Sequence, residues 1–107
     1  MKIPKSIRIG GVEYEIKDNV KSLNNGTHML LGEIDYYNTE IRLSDSTKNH
    51  QPKCVTLWHE ILHGIRYHSA LEIENEEEVV EMFAKGIYQV LQDNGARLFD
   101  LKGTKDE

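Results

Sequence analysis

"TLWHEILHGIRYH", residues 56–68, decides how this chain is to be read. Leu57, Trp58, Ile61, Leu62 and Ile65 recur at the spacing of one helix face, so the segment predicts an amphipathic helix with an apolar stripe. The same stretch holds His59, Glu60 and His63 in the order H-E-x-x-H. Residues four apart on a helix lie one turn apart on the same side, so both imidazoles can reach one ion. Glu60 is turned too far round to join that chelate easily but can touch water on the ion. The pattern therefore offers two nitrogen ligands and a general base, and a catalytic zinc site needs a third protein ligand from elsewhere.

Working outward, Pro52 suits a first helical turn, where its missing N–H costs nothing, and the helix is expected over 52–70. A second helix is expected over 75–94. Asn75 followed by Glu78 has the pattern of a capping box, and Asn94-Gly95 is a stop signal. Val80, Phe83, Ala84, Ile87, Val90 and Leu91 give it an apolar stripe centred on Ile87. Residues 95–107 read as a tail, frayed at its end. Residues 1–50 read as strands. "SIRI" and "VEYEI" alternate around Gly10-Gly11, a hairpin signal, with Ile7, Ile9, Val12, Tyr14 and Ile16 facing inward. "MLLGEIDYY" and "TEIRLS" read as two further strands turning near Tyr37-Asn38, after a loop whose tightest point is Asn25-Gly26. Strands first and helices after make the fold class α+β. The expected architecture is one small antiparallel sheet, an H-E-x-x-H helix and a second long helix in a single domain.

Bulk properties narrow the function. A chain of 107 residues supports one core. A net charge of −5 argues against a protein that tracks nucleic-acid phosphates. The single cysteine, Cys54, allows no disulfide within the chain, so nothing implies an oxidising compartment. No signal peptide or membrane span is evident, and a cytoplasmic protein is expected.

The third ligand should come from the acidic run Glu74, Glu76, Glu77, Glu78 and Glu81. Acids at a helix N-terminus also complement the helix dipole, so not all of them need a further purpose. On a helical wheel Glu77 and Glu81 border the apolar stripe one turn apart, Glu78 points toward solvent and Glu74 precedes the helix. Glu77 is the first choice, with Glu81 or Glu78 as the alternatives. With Glu77 as ligand, Glu81 can accept a hydrogen bond from the other nitrogen of a ligand histidine and so fix its tautomer.

"TLWHEILHGI" followed by "EEEVVEMFA" resembles the ImmA/IrrE-like metallopeptidases of phages and mobile elements, within the zincin group. The resemblance covers about residues 28–92. It implies a ligand glutamate a few residues before a Phe-Ala pair; here that pair is Phe83-Ala84, and counting back again reaches Glu77. It departs from the family at Glu81, where Asn or Asp is common. It also implies cleavage of a protein target such as a phage or mobile-element repressor, which would be a separate protein. The expected chemistry is zinc held by His59, His63 and Glu77, with Glu60 moving the proton of the attacking water. Tyr67, two turns after His59, is the first candidate oxyanion donor and His68 the next. An extended substrate would pair with an edge strand at 40–43. The competing expectation is a non-catalytic binding or inhibitor module that keeps the zincin fold. In that case a closed structural site would draw a fourth ligand from Cys54 or His68.

Overall fold

The computed structural model describes residues 1–46 and 49–99. The chain end expected to fray, and two residues of the loop before the first helix, lie outside them. Strands β1 (Ser6–Ile9), β2 (Val12–Val20), β3 (Gly32–Asp35) and β4 (Glu40–Ser44) precede helices α1 (His50–Ser69) and α2 (Glu76–Asn94), and a short 3-10 turn, Gly95–Leu98, follows. The class is α+β, as the order of patterns predicts.

The sheet is mixed rather than antiparallel. Its order is β1-β2-β4-β3, with β1–β2 and β3–β4 antiparallel and β2–β4 parallel. Burial explains the exchange of places. Ile41 and Leu43 of β4 are completely enclosed, whereas every residue of β3 is only half-buried. The more apolar strand of the second hairpin therefore takes the centre and β3 the margin. Strand β4 is paired on both sides, so residues 40–43 are not the expected edge. The edge strands are β1 and β3, and β3 is the one that borders the cavity lined by His59, Glu60 and His63. Ser44 N–H donates to Leu31 C=O, so Leu31, Glu33 and Asp35 face β4, and Gly32 and Ile34 direct their backbone groups outward. Arg42 clamps the margin down, pairing with Glu33 at 3.1 Å and Asp35 at 2.7 Å on β3 and with its neighbour Glu40 at 2.9 Å.

Helix α1 lies on one face of the sheet. Leu57 and Ile61 join Ile9, Tyr14, Ile16, Ile41 and Leu43 in one core. Gly64 permits the close approach, since a Cβ there would sit 3.0 Å from Ile34 and 3.1 Å from Ile9. Pro52 falls in the first turn, although the helix begins two residues earlier than expected. Helix α2 packs on α1 and not on the sheet. Its buried residues are Val80, Ala84 and Tyr88. The stripe centred on Ile87 is thus rotated from the true contact face, leaving Phe83 and Val90 half exposed, as is Ile65 on α1. A helix covered on one side only keeps apolar surface to spare. No capping box forms. Asn75 is left-handed (φ 56°) and makes no side-chain cap hydrogen bond, because the sharp return from α1 consumes the conformation a cap requires.

The β1–β2 turn uses both glycines at positive φ, 58° at Gly10 and 83° at Gly11. Gly10 also meets the end of α1: a Cβ there would fall 2.5 Å from Cβ of His68, whereas one at Gly11 meets nothing. Gly11→Ala should therefore cost only the left-handed conformation, about 1–2 kcal/mol. Gly10→Ala should cost about 1–3 kcal/mol more from overpacking. Urea unfolding of the two variants checks this, and equal losses would contradict the packing of α1 on the turn.

Candidate metal centre

His59 and His63 leave α1 on the side away from the sheet core, and Glu77 is the second residue of α2. Packing of α2 on α1 brings the three together. Nε2 of His59 and Nε2 of His63 are 3.1 Å apart, and Oε1 of Glu77 is 2.5 Å from the first and 3.3 Å from the second. The three donors lie close enough to hold one metal ion. Ligands about 2.0–2.1 Å from a tetrahedral zinc are roughly 3.3 Å from one another; the 3.1 and 3.3 Å spacings are close to that, and the 2.5 Å His59–Glu77 contact is that of a hydrogen bond, which would open by less than about 1 Å around an ion. The outer nitrogens support the fit. Nδ1 of His63 is 2.7 Å from Oε2 of Glu76. An ionised carboxylate only accepts, so this contact places a proton on Nδ1; Nε2, which faces Glu77 at 3.3 Å, would turn its lone pair to a bound cation.

Glu60 is buried, on the same open cavity of about 1000 Å³ as the three donors. It lies beneath β3, where a Cβ on Gly32 would be 3.4 Å from its Oε2. Burial raises its pKa from the ordinary 4.5 to about 7, although His59 and His63 pull the other way. Glu77 moves in the opposite direction. Partial burial favours its neutral form, but its hydrogen bonds to His63 and His59 and their charges outweigh that and hold it below the ordinary carboxylate value. Burial pulls the His63 pKa down, and the carboxylates of Glu76 and Glu77 on either side of the ring raise it overall.

Most of the remaining candidates fall elsewhere. Glu81 faces the outer nitrogen of His59, its expected side, with Oε1 3.6 Å from Nδ1, just beyond hydrogen-bond distance. Glu76 takes the corresponding place behind His63. Glu78 is exposed and does not line the cavity. Tyr67 does not line it either; its ring stacks on Tyr36 with centroids 3.8 Å apart. Eight residues after His59 leave it roughly 80° further round the helix, toward the sheet. The Nε2 atom of His68 is 2.6 Å from the Tyr14 hydroxyl, and Cys54 is enclosed beside His50, so neither stands at a fourth position. Glu76 escaped the sequence reading because the capping box drew attention to Glu78. A usable signal existed in Arg66, three residues beyond His63 and so on its side of the helix, a cation that invites an acid.

No family model, curated protein or solved structure matches this chain. The site therefore rests on its own chemistry.

Burial of Glu60 makes a pH signature. Below pH 4.5 its carboxyl is protonated whether the chain is folded or not; between 4.5 and about 7 only the unfolded chain releases the proton, so stability falls as pH rises. The loss, complete above that window, is about 3 kcal/mol. In metal-free protein, Glu60→Gln should therefore gain stability over wild type by roughly that amount between pH 4 and pH 8. Shifts common to both proteins cancel in the comparison. Parallel denaturation curves at the two pH values would contradict the buried placement.

Proposed function

We propose that the protein is a zinc-dependent peptidase of the ImmA/IrrE-like zincin type, cytoplasmic, acting on a peptide bond in a separate protein such as a phage or mobile-element repressor. The observation that carries this reading is the convergence of His59, His63 and Glu77 beside a buried glutamate and a free strand edge. Two neutral nitrogens and one carboxylate suit zinc and are too few for a closed structural site. Zinc bound there would acidify a water and polarise a carbonyl. The protein's own groups do the rest. The Nε2 atoms of His59 and His63 and the charge of Glu77 hold the ion.

Glu60, with its raised proton affinity, takes a proton from water as the carbonyl is attacked and returns it to the leaving amine. The outward N–H and C=O groups of Gly32 and Ile34 take an extended substrate as an added strand, replacing the edge first expected at 40–43. Gly32 allows β3 itself to run directly over Thr56 and Glu60, since a Cβ there would lie 2.7 Å from Cγ2 of Thr56. No described helix is long and apolar enough to cross a membrane.

Wild-type protein should carry about one zinc per chain by elemental mass spectrometry, and His63→Ala should carry none. Incubated with a peptide library, wild type should generate new N-termini. Glu60→Gln should retain zinc and lose at least about a hundredfold in rate. Zinc-loaded wild type no more active than Glu60→Gln would sink the peptidase and favour a binding module.

A further inference from the structure

Glu76 and Glu77 are consecutive residues at the start of α2, and they straddle one imidazole. Oε2 of Glu76 is 2.7 Å from Nδ1 of His63, while Oε2 of Glu77 is 3.2 Å from its Nε2. The two carboxylates differ in exposure: the side chain of Glu76 is 26% accessible and that of Glu77 72%. The second oxygen of Glu76 is also engaged. Its Oε1 lies 2.9 Å from Nε of Arg66, a buried nitrogen whose N–H is not well aimed at it, so the contact is chiefly one of charge. Arg66 sits three residues after His63 and also reaches the C=O of Leu71, at 3.5 Å, in the connection between the helices. That connection is sharply folded, with left-handed residues at Ala70 and Asn75. One carboxylate thus grips two side chains of α1 at the point where the chain doubles back.

We propose that Glu76, itself held by Arg66, is a positioning residue of the metal centre: by accepting the Nδ1 proton of His63 it fixes that ring's tautomer and aims Nε2 at the point shared with His59 and Glu77. The proposal rests on the metal-centre reading above. It assigns the two neighbouring acids separate tasks, Glu77 to the ion and Glu76 to the ring behind it. An acceptor behind a ligand histidine raises the basicity of the ligand nitrogen and removes the freedom of the ring to turn. A neutral imidazole without that acceptor is free to place its proton on Nε2, which would then be closed to a cation.

The test compares wild type, Glu76→Ala, Glu76→Gln and Glu78→Ala. Glutamine keeps an oxygen that can accept from Nδ1–H. Glu78→Ala removes the same charge from the same exposed helix turn without touching His63. Two readouts are taken on the intact protein. The first is the tautomer of His63 in metal-free protein by ¹⁵N NMR, at a pH where the ring is neutral. The second is zinc affinity by competition with a chelator. Wild type, Glu76→Gln and Glu78→Ala should hold the Nδ1–H tautomer, and Glu76→Ala should shift toward Nε2–H. Glu76→Ala should also lose about 10- to 100-fold in zinc affinity, and Glu76→Gln should recover most of it. A Glu76→Ala variant with wild-type tautomer and affinity would overturn the proposal, as would Glu78→Ala losing as much as Glu76→Ala. A wild type that binds no zinc but loses the Nδ1–H tautomer on Glu76→Ala would keep Glu76 as the holder of His63. It would remove the metal-centre reading beneath it.

Discussion

Helix α1 has to satisfy two partners at once, and the rest of the structure follows from how its circumference is divided. Leu57, Ile61 and Gly64 must face the sheet, because these are the buried residues of α1 that meet its apolar face. Their spacing fixes the helix rotation, and that rotation carries His59 and His63 to the side where α2 arrives. The close approach at Gly64 ties the two requirements together, since its missing side chain lets Ile9 and Ile34 come up to the helix backbone. A helix standing further off would weaken the core and also lift Glu60 away from β3. The site is therefore not an addition to the fold: the packing that stabilises the domain is the packing that orients the donors.

The same arrangement sorts the carboxylates by environment. Glu60, enclosed beneath Gly32, has a raised proton affinity, while Glu77, beside two imidazoles, has a lowered one. Two acids drawn in opposite directions within one cavity are suited to different tasks, one to move a proton and one to stay charged. On the far face of the sheet, Asp35 is held well below the usual carboxylate range by its hydrogen bonds from Asn38 and Arg42. That cluster bears on the site indirectly, by fastening the short strand whose free edge borders it.

Much of this was legible in residues alone, and the reasons for success and failure are physical. Helical periodicity and the four-residue histidine spacing are local properties, so α1 and its two donors could be read directly. Wheel position and the nearness of two consecutive helices favoured Glu77 but left Glu81 and Glu78 as alternatives, which only the packing of α2 on α1 sorts. Sheet order was not legible. Alternation marks Ile41 and Leu43 as inward-facing but does not say that β4 lies between β2 and β3, since that depends on competition for the most enclosed position. The misplaced substrate edge follows from this. The rotated face of α2 and the absent capping box share another cause, because Asn75 adopts the conformation demanded by the reversal after α1 rather than the one its side chain prefers. Tyr67 was misplaced because eight residues overshoot two helical turns by roughly 80°, which carries its ring to Tyr36 instead of the cavity.

The account's central claim is that the packing of α2 on α1 creates one three-donor metal centre. Zinc-edge X-ray absorption of the zinc-loaded protein tests it most directly. The expected spectrum has two imidazole nitrogens and carboxylate or water oxygens at about 2.0–2.1 Å and no sulfur. A zinc–sulfur distance of about 2.3 Å, which would draw in Cys54, or a shell with a single imidazole would contradict it.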